Sequence, residues 1–439
     1  MRRLARHPVT LLLAANVASA GLGLVSLTWT LMILDVADFA VIGVMLGFGT
    51  LVSMGVDLRL ADLVARRFFE QRSITPACGL AVARAGFLIF LMQGAVVVGI
   101  AVSGLALTAP LFLAKPVAAW WMWSAALFCG VQLTMAGLMG LVRFCGAFVW
   151  AAAIRVLFQL ASTIALLMLL SLDGSLDGYF RALLVSAATG LLVAGVVAGR
   201  VVRETLDGGL LGLPPKGEVA AIVTGLRAIG SGGLFSAGWM LTRAGDVLVV
   251  AAFSNEIVTG TYRVARQVVD AVSGILDAVP HYFEPSIIAA LKSSDWESFR
   301  HHRRRVIASG AVVGLLTIVG LYPALSLAVA SAFPRYEATV VPILVQMLAA
   351  SLRLAVQPWL WASCVALGGM GRFSALLLAG SLAQLGVIAS LAALGLLTAT
   401  TAAAAVWVAL AVLFLPYLVG LRRGPGVEGL AQDAKPAKH

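Results

Sequence analysis

Windows of about twenty apolar residues recur along the whole sequence, each long enough to cross a hydrocarbon core of roughly 30 Å. They fall near residues 9–34, 39–56, 80–107, 118–141, 148–170 and 182–198, and again near 220–252, 258–281, 306–332, 338–367, 373–396 and 401–418. The pattern predicts an all-α, polytopic membrane protein of about twelve transmembrane helices, in two six-helix bundles around a central cavity. Composition agrees, with 61% of residues apolar and 12% charged, against about 25% charged in an ordinary soluble domain. A cytosolic enzyme, a disordered chain and a secreted disulfide scaffold are excluded. The net charge of +11 would suggest nucleic acid in a soluble protein. Here the placement of charge matters more than its sum, and no nucleic-acid partner is expected.

With the N-terminus inside, 21 of the 31 Lys and Arg residues lie in inward segments, and outward loops hold Lys115, Arg181 and Arg335. A missed or extra span would invert every later loop, so this asymmetry supports both the count and the orientation. Both termini are expected in the cytoplasm. Ala18-Ser19-Ala20 resembles a signal-peptidase site, but the apolar run continues to Leu34 and reads as a retained first helix. Cys78, Cys129, Cys145 and Cys364 are far apart, without a CxxC, and imply neither disulfide nor metal.

The most polar internal stretch, 200–218, holds Gly208-Gly209 and Pro214-Pro215 and predicts a cytoplasmic linker. It separates a bundle over 1–199 from a second over 219–420, and 421–439 forms a cytoplasmic tail. Two basic segments, 57–75 and 292–305, predict short surface helices after the second and eighth spans. At the same offset of 220 residues, Asp57 falls opposite Asp277, as Ala40-Val41-Ile42 does opposite Gly260-Thr261-Tyr262. Paired halves of this kind are a frequent transporter plan.

Ionisable residues are costly in a bilayer and normally face protein or water. In the eighth span Glu256, Thr259, Arg263, Arg266, Gln267, Asp270, Ser273, Asp277, His281 and Glu284 fall within one helical arc. The seventh span adds Arg243 and Asp246 before a tight turn at Ser254-Asn255. Antiparallel folding about that turn predicts Asp246 level with Arg263 and Arg243 level with Arg266; Arg266 and Asp270 are also in i,i+4 reach. Shorter stripes are Asn16, Ser19, Gly23, Ser26 and Thr30 in the first span, Arg155, Gln159 and Ser162 in the fifth, and Gln346, Arg353 and Gln357 in the tenth. Converging, these faces enclose a hydrated, cationic cavity suited to an anionic substrate. The plain alternative is that buried Arg–Asp pairs fix helix packing. Arg84 and Arg227 read as snorkelling near helix ends, and Trp120, Trp121 and Trp123 as an interfacial belt. His281 and Glu284 lack a second ligand pair, so no metal is expected.

No GxxxxGK[ST], GxSxG or HExxH stretch is present, so neither P-loop hydrolysis nor those two catalytic chemistries is expected. The chain reads as a non-enzyme without a cofactor. Asp35 and Asp38 resemble the acidic pair of membrane glycosyltransferases, but every outward loop is short.

The run from Asp246 to Val250, then Gly260-Thr261-Tyr262 on to Gln267, then Pro280 and Pro285, resembles the seventh-to-eighth helix region of polysaccharide flippases. Asp38 to Ile42 and Gly55-Val56-Asp57-Leu58-Arg59 are the matching features of the N-terminal half. The chain is thus similar, over nearly its whole length, to Wzx-like flippases of the multidrug/oligosaccharidyl-lipid/polysaccharide exporter superfamily. The resemblance implies translocation of a polyprenyl-diphosphate-linked oligosaccharide across the bacterial inner membrane, for lipopolysaccharide, capsule or exopolysaccharide. Lipid II flippases carry a charged cluster in the first helix, where this chain has Asn16 and Ser19, so peptidoglycan precursor is not the expected cargo.

On this reading Arg243, Arg263, Arg266, Arg155 and Arg353, with Gln267 and Gln357, bind substrate. Asp246, Asp270 and Asp277 release those arginines or bind a coupling H+ or Na+. Membrane lipids, a polysaccharide polymerase and a ligase are the other expected partners. A cation-coupled drug exporter of the same superfamily is the first alternative, and a membrane glycosyltransferase the second.

Overall fold

The computed structural model describes residues 8–57, 60–113, 116–215, 217–224, 235, 237–238, 240–276, 278–367 and 369–422. Among them every regular element is helical, and ten helices are long and apolar enough to cross a membrane. The protein is an all-α, multi-pass membrane protein. Two expected spans stand outside the ten. The seventh is described only over 217–224, 235, 237–238 and 240–253, and the eighth bears Glu256, Arg263, Arg266 and Asp270 within 21 residues. Asp277 lies outside the described residues, as does the side chain of Arg243.

The chain forms two compact units, Met1–Ser236 and Ala237–His439. The first holds α1 (Pro8–Ile33), α2 (Val36–Asp57), α3 (Leu60–Arg72), α4 (Pro76–Phe112), α5 (Ala119–Phe144), α6 (Phe148–Asp173), α7 (Leu176–Leu206) and α8 (Glu218–Thr224). Helices α4 and α5 approach closely because Gly94 faces Gly130, where a Cβ on Gly130 would come within 2.6 Å of Gly94 O. Small residues permit such backbone approach where no hydrophobic drive separates helix from lipid. Gln93 caps the end of α2, its Nε2 donating to Val56 O at 3.2 Å and Asp57 O at 3.1 Å.

Helix α3 is the short basic helix expected after the second span. Its Leu60, Val64 and Phe68 recur every four residues and are buried, while Arg67 reaches Glu218 of α8 at 3.3 Å. That ion pair ties the far end of the expected linker into the first unit. Arg84, near the start of α4, donates its Nε to Gly209 O at 2.8 Å, closing the Gly-Gly turn over α4. Trp121 is likewise committed inside the unit, donating to Asp177 Oδ1 at 2.7 Å and stacking on Phe180. Trp123 remains half exposed. The polar stripe of α1 is a packing seam with α6, where Ser26 donates to Thr163 at 2.9 Å and Thr163 contacts Leu22 O at 3.3 Å.

In the second unit a π-helical turn, Leu241–Gly245, runs into α9 (Asp246–Phe253). It continues through α10 (Glu256–Leu276), α11 (Ala278–Lys292), α12 (Trp296–Leu316), a second π turn (Thr317–Leu321) and α13 (Tyr322–Ala332). A 3-10 turn (Pro334–Thr339), α14 (Val340–Leu367), α15 (Met370–Ala393), α16 (Ala399–Ala404) and α17 (Val406–Arg422) complete it. Helix α14 is the hub, packing on α10, α11, α12 and α16. Most of the basic segment expected as a separate surface helix at 292–305 is instead the first turns of α12, which Asp295 caps by accepting from Ser298 N at 3.0 Å. Helices α15 and α17 meet tightly at Gly380, where a Cβ would lie 2.7 Å from Ala409 O.

Candidate functional site

The turn at Ser254-Asn255 folds α10 back along α9. Asn255 Oδ1 accepts from Val258 N at 2.9 Å, a side-chain N-cap that starts α10 at Glu256. Beyond it, Tyr262 packs among Val247, Val250, Ile388 and Ala402 and donates its phenol to Asp246 Oδ2 at 2.7 Å. Asp246 is fully buried, and its Oδ1 accepts from Val247 N at 2.8 Å.

One helical turn along α10, Arg266 ties three groups together. Its Nη2 donates to Thr242 O in the π turn at 2.9 Å. Its Nη1 lies 3.8 Å from Asp246 Oδ2, and its Nε lies 3.6 Å from Asp270 Oδ1. Thr242 is itself fixed, its Oγ1 lying 2.6 Å from Ser381 Oγ on α15. Arg266 is only 7% exposed. Isolated, so deep a charge would cost several kcal/mol, of order 3–5 if one partner of a buried pair is removed. The paired carboxylates hold it there.

The expected register is therefore corrected. Asp246 pairs with Arg266 and Tyr262, which share one face of α10 at i and i+4. Arg263 sits about 100° round the helix from Tyr262 and does not reach Asp246: it is half-buried and its Nε has no hydrogen bond. The π turn precedes Asp246 and leaves this pairing untouched; it shifts the phase of the residues before Asp246.

Arg266 and Asp270 form one wall of a cavity within the second unit. Arg353, Gln346 and Gln357 of α14 line the facing wall, with Thr242, Ser273 and Ser381 between. Apolar residues of α17, Val406 to Leu413, close the remaining side, and the empty volume is about 750 Å³, part of it open to the outside. No aromatic ring occurs among its described lining residues.

Against solved structures, the chain matches an inward-facing multidrug resistance transporter of the MATE family, in the MOP superfamily, with a TM-score of 0.65. That match covers 97% of this chain and 96% of the other at 14% identity. A MATE in complex with MaL6 matches with a TM-score of 0.62, 14% identity, and coverage of 98% and 99%. A MOP superfamily transporter from Pyrococcus furiosus, for which reversed polarity of the binding pocket suggests a different function, gives 0.60 and 14% identity over 98% of each chain. The chain has the MATE fold. No family profile matches the sequence, and no curated protein does.

Within this MATE fold, the second unit brings together Arg266, Asp270, Arg353 and Gln357 on the cavity and Asp246 directly behind it. Arg263 and Gln267 lie on α10 but outside the lining, and Gln267 Oε1 has no hydrogen bond. Arg155 belongs to α6 of the first unit, where it is exposed. Tyr262, Thr242 and Ser381 were not expected as members of the site. A signal for Tyr262 was present, since it stands four residues before Arg266.

Proposed function

We propose that the chain is an alternating-access transporter that moves a polyprenyl-diphosphate-linked oligosaccharide across the bacterial inner membrane, with both termini in the cytoplasm. The observation that carries this reading is the chemistry of the second-unit cavity. It offers two guanidinium groups against one lining carboxylate, two glutamine amides and several hydroxyls, with no ring among its described lining residues. Such a surface answers oxygen-rich, anionic ligands and lacks the stacking faces that hold aromatic cations. The likeness of the Asp246-to-Gln267 segment to polysaccharide flippases supports it, as does the reversed-polarity pocket in a protein of the same fold.

Arg243, Arg263 and Arg155 then attract the diphosphate, while the prenyl chain stays in lipid. Asp246, Asp270 and Asp277 are the coupling groups. Protonation or cation binding there competes with Arg266 for the carboxylates and so frees the guanidinium for substrate. A polysaccharide polymerase and ligase receive the product.

The test is a strain deleted for the gene, in which precursor sidedness and surface polysaccharide are measured. Complementation with Arg353→Gln or Arg263→Gln at matched protein level is expected to leave precursor on the cytoplasmic face. Unchanged sidedness in the deletion, with altered drug sensitivity, overturns the reading. The second reading is then a cation-coupled drug exporter, which the buried carboxylate of Asp246 and the multidrug transporters of this fold favour.

A further inference from the structure

Helix α12 buries one side only. Phe299, Val306 and Gly310 are buried, Gly310 abuts Ala355 of α14, and Arg303 lies over the Phe299 and Trp359 rings at 5.7 and 5.8 Å. The opposite side is bare. Ile307, Val312, Leu315 and Leu316 are exposed there, Leu315 at 60%. The run from Trp296 to Val329 is one of the ten long apolar stretches, so this bare side faces acyl chains.

At about 100° per residue, Arg300, His301, Arg304 and Arg305 fall within the same arc as those four apolar residues, and all are exposed. Arg304 and Arg305 precede Ile307 by a rise of only about 3–5 Å. Their guanidinium groups therefore stand at the edge of the hydrocarbon, on the lipid-facing side, at the depth of the headgroup phosphates. Trp296 marks the same depth. It is 41% exposed at the start of the helix, and amphipathic rings of this kind collect at membrane interfaces.

The first unit treats its arginines differently. Arg66, Arg67, Arg181 and Arg200 each hold a carboxylate, at 2.8–3.3 Å. Among the described residues Arg300, Arg304 and Arg305 are in no ion pair, and Arg300 commits only its Nε, to Trp296 O at 3.2 Å. Two carboxylates occur nearby in the sequence. Asp295 caps the helix at Ser298 N, and Glu297 shares the arc, so three guanidinium groups stand against one carboxylate.

We propose that this face of α12 binds the phosphodiester headgroup of an anionic phospholipid, in the leaflet that meets the N-terminal end of the helix. Arg300, Arg304 and Arg305 take the phosphate oxygens, for which a guanidinium offers paired donors. The acyl chains lie along Ile307, Val312 and Leu315. A zwitterionic headgroup offers the same phosphate but sets its own cation among the arginines. The site is separate from the second-unit cavity and independent of what the protein carries. Its lipid rests on the helix that packs against α14, whose Arg353 and Gln357 line that cavity.

The experiment titrates the purified full-length protein, in neutral detergent, with phosphatidylglycerol, phosphatidylcholine or inorganic phosphate, reading the shift of the thermal midpoint. Phosphatidylglycerol is expected to bind at least about tenfold more tightly than phosphatidylcholine. Inorganic phosphate, with no chains for the apolar strip, is expected to give no shift. Combining Arg300→Gln, Arg304→Gln and Arg305→Gln should weaken phosphatidylglycerol binding about a hundredfold, roughly fivefold for each arginine at an anionic headgroup. The ligand-free midpoint should stay, because none of the three is in an ion pair. If the triple variant does not fold, Arg304→Gln alone is read for its fivefold loss. Arg66→Gln, which removes an arginine paired with Glu70, is the control and should leave the affinity unchanged. Equal affinity for the two lipids, an equal response to inorganic phosphate, wild-type affinity in the α12 variants, or an equal loss in Arg66→Gln overturns the proposal.

Discussion

Tyr262 donates its phenol to Asp246 at 2.7 Å, and both side chains are sealed from solvent in the second unit. The pair joins two helices across the Ser254-Asn255 turn and keeps the carboxylate pointed at Arg266. Removing the hydroxyl should cost about 1–3 kcal/mol, the usual penalty for leaving a buried acceptor short of a donor. Thermal unfolding of Tyr262→Phe, Asp246→Asn and the double variant checks this. The expected outcome is a coupling energy of roughly 0.5–3 kcal/mol; strict additivity would mean that the contact contributes nothing.

Arg266→Ala is expected to destabilise the second unit by about 3–5 kcal/mol, because it leaves the buried Asp246 charge without a cation. Adding Asp246→Asn to that variant should restore a large part of the loss. The free thiol of Cys364, 1% exposed in the same unit, gives the readout. Its labelling rate rises in Arg266→Ala and falls back in the double variant.

The first unit offers a separate test. Gly130→Ala places a methyl against Gly94 O and should cost about 1–3 kcal/mol through overpacking. Cys129, its buried neighbour, is expected to label faster in this variant while Cys364 stays protected. Equal acceleration at both thiols would mean that the chain loosens as a whole.

The α12 cap predicts a pH dependence. Hydrogen bonds from Ser298 hold the Asp295 carboxyl below the usual carboxylate range. A depressed acid contributes stability that is complete above its ordinary value, near 4, and is lost as pH falls through the folded-state value. Exchange of the Ser298 amide should therefore quicken on acidification below pH 4, beyond the intrinsic trend. Asp295→Asn, which keeps an accepting oxygen, should abolish that extra pH dependence.

Hydropathy alone made the helical, multi-pass class legible, because every span but two is long and apolar. The eighth span was legible for the opposite reason: its charges cannot face lipid. What the sequence concealed was phase. Reading α9 and α10 as two regular helices placed Asp246 beside Arg263, one residue away from Tyr262, its actual partner. Ahead of Asp246 a second shift was hidden, since nothing in the string of residues announces that Leu241–Gly245 is wound as a π turn. Polar stripes also carry no label of purpose. The α1 stripe closes on Thr163 as a packing seam, while the similar stripe on α14 opens onto a cavity with Gln346 unpaired.

A turn closed by i→i+5 bonds holds one residue more than the helix on either side. Deleting a single residue among 241–245 would leave a helix with a complete hydrogen-bond ladder. The helix on either side would keep its present phase, because the wide turn takes up the extra residue. What would go is the widened backbone at which Thr242 offers its carbonyl to Arg266, although length and hydropathy would hardly change. A one-codon deletion is thus enough to strip the polar centre of this unit of one anchor and leave an ordinary membrane helix behind.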